Sequence, residues 1–141
     1  MQEFYIKQVT WATHEAQLRL IREQVFILEQ QVPVALEWDA HDRDAWHLLA
    51  FNQSGAAIGC ARILSNGSIG RMAVLQEKRG TGIGKALLNT AMKLSKQQQL
   101  KEAILSAQTH ATSFYEEAGF VIVSDVYLDA NIPHVDMLLK F

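Results

Sequence analysis

Residues 70–87 read Gly70-Arg71-Met72-Ala73-Val74-Leu75-Gln76-Glu77-Lys78-Arg79-Gly80-Thr81-Gly82-Ile83-Gly84-Lys85-Ala86-Leu87. Two local patterns meet inside this stretch. A strand-like run from Ser68 to Val74 ends in it, and Ile83, Leu87, Ala91 and Leu94 then mark the buried face of a helix of about Gly82 to Gln98. Between them lies Arg79-Gly80-Thr81-Gly82-Ile83-Gly84. The first turn of a helix carries N–H groups without internal partners, and the helix dipole is positive there. Glycines let a ligand approach the backbone closely. A glycine-rich strand-to-helix turn is therefore an anion site, with a pyrophosphate as its natural occupant.

Three glycine patterns compete for this loop. The P-loop, Gly-x-x-x-x-Gly-Lys-Ser/Thr, fails because Arg79 stands where the first glycine belongs and Ala86 follows Gly84-Lys85, so the magnesium hydroxyl is missing. The dinucleotide fingerprint Gly-x-Gly-x-x-Gly fails because its third position is Lys85 counted from Gly80 and Leu87 counted from Gly82. The pattern Arg/Gln-x-x-Gly-x-Gly/Ala is met by Arg79, Gly82 and Gly84.

Outward from the loop, the chain reads β-α-β-β-β-α-β-α-β-β. Phe4 to Val9 predicts a first strand. Thr13 is a candidate cap for a helix whose apolar stripe is Leu18, Ile21, Val25 and Leu28, stopping near Val32-Pro33. Residues 35–44 are acidic and read as an irregular, solvated loop, or as a lid that attracts a cationic amine. Trp46 to Phe51, Ala56 to Leu64 and Ser68 to Val74 are strand-like and separated by short turn sequences, which predicts an antiparallel meander. Ala103 to Ala107 predicts a strand, and Ala111 to Ala118 a short helix ended by Gly119. Val121 to Ser124 and His134 to Lys140 close the chain as strands. The fold class is α/β, an α+β mixed sheet with one strand-helix-strand crossover.

The chain has 141 residues, which fits a single domain over 1–141, and 49% are hydrophobic, ample for one core. A formal charge of -2 gives no basic footprint for nucleic acid and no polybasic membrane anchor. The lone cysteine, Cys60, fits a reducing compartment, and no apolar run is long enough to span a bilayer. The expectation is a cytoplasmic protein. The acidic run Asp39 to Asp44 lacks the spacing of a calcium loop or a zinc ligand set, so no metal is expected.

On these motifs the sequence resembles the GNAT superfamily of acetyl-CoA-dependent N-acetyltransferases, over essentially the whole chain. Met72-Ala73-Val74 resembles the strand whose backbone pairs with the pantetheine arm of the coenzyme, and Arg79 to Gly84 the pyrophosphate loop. Gln108-x-x-Ala111-x-x-x-Tyr115-x-x-x-Gly119-Phe120 resembles the stretch in which an Asn contacts the coenzyme and a Tyr faces its sulfur, with Gln108 in place of the Asn. More narrowly, Val25-Phe26, Glu29-Gln30, Val32-Pro33, Glu37, Asp39, His47-Leu48, Gly70 to Val74, Ala107-Gln108 and Ile132-Pro133-His134-Val135-x-Met137 are similar to the ElaA/YjcF-like branch. The resemblance implies the GNAT fold, in which the fourth and fifth strands splay and the coenzyme fills the gap. It implies acetyl-CoA as cosubstrate and coenzyme contacts at Met72, Ala73, Val74, Arg79, Gly80, Thr81, Gly82, Ile83, Gly84, Gln108 and Tyr115. A strand bulge near Met72 to Val74 would expose N–H groups able to steady the thioester oxygen.

Acetyl transfer to an amine needs a deprotonated amine, donors for the oxyanion and a proton for the departing thiolate. Tyr115, with a reference pKa of about 10, is protonated at neutral pH and is the candidate general acid. A base must take the proton of the amine, and a water-mediated one, which needs no single residue, is the expectation. Glu29 and His134 are the single best choices on the acceptor side, among Glu37, Asp39, His47 and His110. Cys60, inside the strand pattern Ile58-Gly59-Cys60-Ala61, reads as a buried thiol rather than an acyl carrier. The expected reaction is direct transfer in a ternary complex to a primary amine of a small molecule. A peptide or protein amine, or a non-catalytic acyl-CoA-binding module, is the alternative. A homodimer is left open.

Overall fold

The computed structural model describes residues 3–141. Strand β1 (Phe4–Val9) leads into helix α1 (Trp11–Arg22), which continues as a π-helical stretch, Glu23–Glu29. The cap of α1 is Thr10, not Thr13. Thr10 accepts from the Thr13 backbone N–H at 3.2 Å while the Thr13 hydroxyl accepts from the Thr10 N–H at 3.3 Å, a reciprocal box that needs both threonines. Thr10 takes the cap because it stands at extended φ -108, ψ 158, still in line with β1. Leu18, Ile21 and Val25 are buried as the periodicity predicts, but Leu28 is 66% exposed. The widened π geometry, with Gln30 N–H bonded to Val25 O at 3.0 Å, rotates Leu28 off the stripe.

Residues 35–44 are largely exposed, as expected, but two of their carboxylates are not solvated. Helix α2 (Val34–Glu37) opens the segment, and Glu37 and Asp42 are each only 3% exposed. Strands β2 (Trp46–Asn52), β3 (Ala57–Ile63) and β4 (Ile69–Val74) then follow β1 in an antiparallel sheet of order β1-β2-β3-β4, the expected meander. The sheet is covered on both faces. Leu48, Ala50 and Ile63 pack with Ile83, Leu87, Ala91 and Leu94 of helix α3 (Ile83–Gln97), and Leu49, Phe51 and Cys60 pack with Leu18, Ile21 and Val25. Alternate residues of β2 thus serve two cores, which is why it reads as an unbroken apolar run.

Strand β5 (Glu102–Gln108) and helix α4 (Thr112–Glu117) precede β6 (Val121–Ile122), β7 (Tyr127–Asp129) and β8 (Ile132–Lys140). These strands form a second sheet of order β5-β8-β6, with β7 also on β8. Strand β6 is shorter than the predicted Val121 to Ser124, and β7 has no counterpart in the sequence reading. Its hairpin turns through Ala130 and Asn131, both at positive φ (52 and 63), the geometry of a two-residue type I′ turn without the usual glycine.

The crossover from β4 through α3 to β5 is present, but β4 and β5 do not form a continuous pair. They meet at one parallel bridge, Ser68 with Ile104, where Ile104 N–H donates to Gly67 O at 3.0 Å. Gly67 is at φ +94, and a Cβ there would lie 2.5 Å from Glu102 O, so only glycine lets the strands touch. Beyond this junction they part.

Candidate active site

Where β4 and β5 separate, a cleft of about 560 Å³ opens between the two sheets. Strand β4 is bulged on its way along it. Cys60 to Arg62 of β3 spans two steps while the paired Ala73 to Gly70 spans three, and Arg71 carries the extra turn at φ 46. The bulge reverses the strand's parity: Ile69 packs on the α3 side, but four residues later Ala73 packs on the α1 side. The buried Cys60 thiol donates to the Arg71 carbonyl at 3.2 Å and so supports the bulge from beneath. Burial pushes that thiol up to about 12.

Leu75 N–H is bonded to Ile58 O of β3 at 3.0 Å. Strand N–H directions alternate, so Ala73 faces β3 while Val74 and Met72 face the gap toward β5. Of the three expected β4 contacts, Met72 and Val74 thus offer their N–H groups outward, and that of Ala73 is directed into the sheet. Met72 lines the cleft.

The glycine loop follows at the end of β4. Gly80 and Gly82 adopt φ +79 and +89, and a Cβ built on either meets nothing within 4 Å. Gly82 caps α3 without a side-chain hydrogen bond, and no acidic residue sits in the first turn. Ala86 N–H is the first bonded to Gly82 O, at 3.0 Å, which leaves the N–H groups of Ile83, Gly84 and Lys85 outside the helical ladder. Thr81 Oγ1 donates inward to Lys78 O at 2.7 Å, fixing the turn, and Thr81, Gly82 and Ile83 line a second depression beside Phe4. Arg79 Nε donates to Val74 O at 3.0 Å, and its two terminal nitrogens grip Glu29 at 2.6 and 2.7 Å. Open space for ligand atoms over unpartnered amides fits a diphosphate.

Glu29 accordingly sits on the loop arginine rather than in the cleft expected for an acceptor-side group. Hydrogen bonding to Arg79 holds its carboxyl below the usual range, so it is a poor proton acceptor. Tyr115 lies in α4, its ring edge-on to Phe114 and Phe120 with centroids 5.0 and 6.2 Å away. A Cβ on Gly84 would stand 3.6 Å from Phe114, so α4 rests against the first turn of α3 and carries Tyr115 to the cleft. Burial pushes the Tyr115 hydroxyl up to about 12. Gln108, at the end of β5, lines the same cleft and donates to Gln30 Oε1 at 2.9 Å.

His134 is 8% exposed and also lines the cleft. Its Nδ1 is 2.6 Å from Ile132 O. A carbonyl only accepts, so Nδ1 carries the proton and the neutral ring keeps its lone pair on Nε2. Tyr127 stacks on this ring at 6.1 Å and donates to Asp136 Oδ1 at 2.6 Å, with Ser106 Oγ bonded to the Tyr127 oxygen. His47, by contrast, is 1% exposed and bonded to Asp42 O at 2.7 Å, a structural role, and His110 is exposed.

The acidic segment supplies the floor. Arg22 bonds Glu37 at 2.8 Å and Asp42 at 2.7 Å; Arg62 bonds Asp42 at 3.1 Å and Asp39 at 2.8 Å; Arg71 bonds Asp39 and Glu37, both at 3.2 Å. The six groups close into a ring of alternating charge in which every carboxylate is shared by two guanidiniums. The segment is therefore not a lid of free carboxylates for a cationic amine. Sequence reasoning missed Arg62 and Arg71, although a charged residue inside Ile58-Gly59-Cys60-Ala61-Arg62-Ile63 was the signal. No group of His, Cys, Asp and Glu suited to a metal ion occurs among the described residues, and no helix among them is long and apolar enough to cross a membrane.

Two sheets parting over a glycine-cradled helix start define an acyl-CoA N-acyltransferase fold. Solved structures share it: ElaA of Escherichia coli superposes with a TM-score of 0.88 at 26% identity, covering 97% of this chain and 99% of that one. An acyl-CoA N-acyltransferase of Pseudomonas aeruginosa superposes with a TM-score of 0.82 at 33% identity, covering 96% and 97%. A family model described as an acetyltransferase (GNAT) domain matches residues 10–141. YjcF of Bacillus subtilis, an uncharacterized N-acetyltransferase, is 32% identical over 133 residues, 90% of this chain and 95% of the relative. The chain belongs to the GNAT acetyltransferase family, in the ElaA/YjcF-like branch the sequence resembles, and is an acetyltransferase.

Proposed function

We propose that this enzyme transfers the acetyl group of acetyl-CoA directly to the primary amine of a small molecule, within a ternary complex. The observation that carries the reading is the combination of three features: the open amides of the α3 start, the outward N–H groups of β4, and a cleft holding Tyr115 and His134. When bound, the cosubstrate supplies an activated acyl thioester. Gly80, Thr81, Gly82, Ile83 and Gly84 receive its diphosphate through backbone N–H groups, with Arg79 as the nearby cation. Met72 and Val74 hold the pantetheine arm along β4, and one of their N–H groups steadies the oxyanion. Gln108 closes the arm from the β5 side.

His134 Nε2 is the proposed base. A primary alkyl amine with a pKa of about 10.4 is mostly protonated at neutral pH, so an imidazole lone pair, directly or through water, frees the nucleophile. Tyr115 holds its proton throughout the neutral range and donates it toward the departing thiolate. A covalent acetyl-enzyme is disfavoured by the Cys60 thiol, which is buried, engaged with Arg71 O and pushed up to about 12. Amine-dependent release of free CoA thiol, screened over amines, amino sugars and peptides, tests the proposal; no release above background with any acceptor would remove it. The lone thiol supports a reducing, cytoplasmic location. Exposed apolar side chains on and beside β6 and β7, Val121, Ile122, Val126 and Leu128, support pairing of two copies, which sedimentation velocity measures directly.

A further inference from the structure

The ring of charges beneath the cleft has more donors than acceptors. Each guanidinium brings five N–H groups, and the ring carboxylates are already divided between neighbours. Arg62 is 6% exposed, lines the cleft, and uses Nη1 for both Asp39 and Asp42. Its Nε is buried and has no hydrogen-bond partner. An orphan buried donor on a cation is costly, and an anion bonded to it would offset that cost. Arg71 lines the same wall beside Glu37, its side chain 26% exposed, with Nε and Nη2 engaged by Glu37, Leu36 O and Asp39 and Nη1 without a protein partner among the described residues. The opposite wall, from β7 and β8, has the reverse character: Asp129, His134 and Asp136. Apolar side chains, among them Phe26, Leu36, Leu64 and Ile132, complete the lining.

We propose that the acceptor is an amino carboxylate with an apolar body, its carboxylate held by Arg62 and Arg71 and its amine directed toward His134 and Tyr115. The proposal rests on the acetyl-transfer reading above and names its substrate class. The guanidinium donors that the ring leaves unengaged, Arg62 Nε and Arg71 Nη1, suit the oxygens of one carboxylate, and the carboxylates of Asp129 and Asp136 on the other wall suit an ammonium, the two ends of a zwitterion. A plain alkyl amine would leave the Arg62 Nε unpartnered. A polyamine would set a second ammonium against two arginines.

The test is equilibrium binding, which does not depend on turnover. Protein saturated with free CoA is titrated calorimetrically with L-leucine and L-phenylalanine, each beside its amide and its decarboxylated amine, and with phosphoethanolamine. The expected result is at least about tenfold tighter binding of the acids than of their partners that lack the carboxylate. Arg71→Gln should abolish most of that preference while leaving CoA affinity unchanged, and Arg62→Lys, which keeps a cation for Asp39 and Asp42 but loses the Nε donor, should do the same. If Arg62→Lys does not fold, the Arg71→Gln comparison decides. Equal binding within each pair, binding of neither acid, or tighter binding of phosphoethanolamine overturns the proposal. Failure of the transfer reading is separately visible, as absence of thiol release from acetyl-CoA with acids that bind.

Discussion

Replacing Gly82 by Asn and by Asp, side by side, isolates the charge at the loop. Gly82 stands at φ 89, ψ 3, where an L residue costs about 1–2 kcal/mol and Asn and Asp are the most tolerant choices. Space is not the obstacle, because a Cβ there meets nothing within 4 Å. The two variants share shape, backbone cost and any competition for the first-turn amides; they differ by one negative charge. Each should lower Tm by roughly 2–8 °C. In Coulomb terms, one charge about 4 Å from another is worth about 1 kcal/mol in water and about 4 at a protein surface, so Asp should bind CoA roughly 5- to 1000-fold more weakly than Asn. Calorimetric titration with CoA at low salt measures the ratio, and added salt should shrink it. Equal affinities for the two variants, with native circular dichroism, would refute a diphosphate at this loop.

Tyr115→Phe should cut kcat for thiol release by about 10²-fold or more and leave CoA affinity within twofold. The wild-type hydroxyl, pushed up to about 12, is protonated below that pH, so its ionisation should not depress kcat between pH 6 and 10; a fall near pH 10 that vanishes in Tyr115→Phe would contradict the assignment. Cys60 should resist iodoacetamide in the native protein at neutral pH and react once the chain is unfolded, and Cys60→Ala should retain thiol release; rapid native labelling by mass spectrometry would show the site misread. Gly67→Ala should destabilise by roughly 2 kcal/mol or more, since it adds a left-handed penalty to a contact of 2.5 Å with Glu102 O; an unchanged urea midpoint would mean that the β4–β5 junction is not held there.

The elements fixed by short-range periodicity were legible in the chain: the meander, the buried face of α3 and the uncapped glycine turn each depend on neighbours within a few residues. The start of α1 was misplaced because Thr10 and Thr13 carry identical side chains, and which one caps depends on where β1 ends. Leu28 kept the right spacing for an α-helix but sits in a π-helical stretch, a change of hydrogen-bond ladder that composition does not encode. Glu37, Asp39 and Asp42 looked solvated because their cations, Arg22, Arg62 and Arg71, lie about 15 to 34 residues away in sequence and meet them only after α1, β3 and β4 have packed. Strand β7 was invisible because Ala130 at positive φ is held by the hairpin, not chosen for the turn. At the site, the glycine turn before α3 was legible as a local pattern and the family resemblance led to Tyr115, which lines the cleft, whereas Glu29 was placed by helix position and that resemblance, without the distant Arg79 that engages it.

The closed circuit of three guanidiniums and three carboxylates constrains how this enzyme can change. Because each member is shared, reversing or deleting any one strands two neighbours at once, at a cost of about 3–5 kcal/mol where the pair is buried. Drift through single substitutions is thus blocked most strongly at Arg22, Glu37 and Asp42, the buried part of the ring. New acceptor preferences should arise instead at the tip of the β7–β8 hairpin, where Asp129, Ala130 and Ile132 line the cleft and belong to no shared circuit of charges.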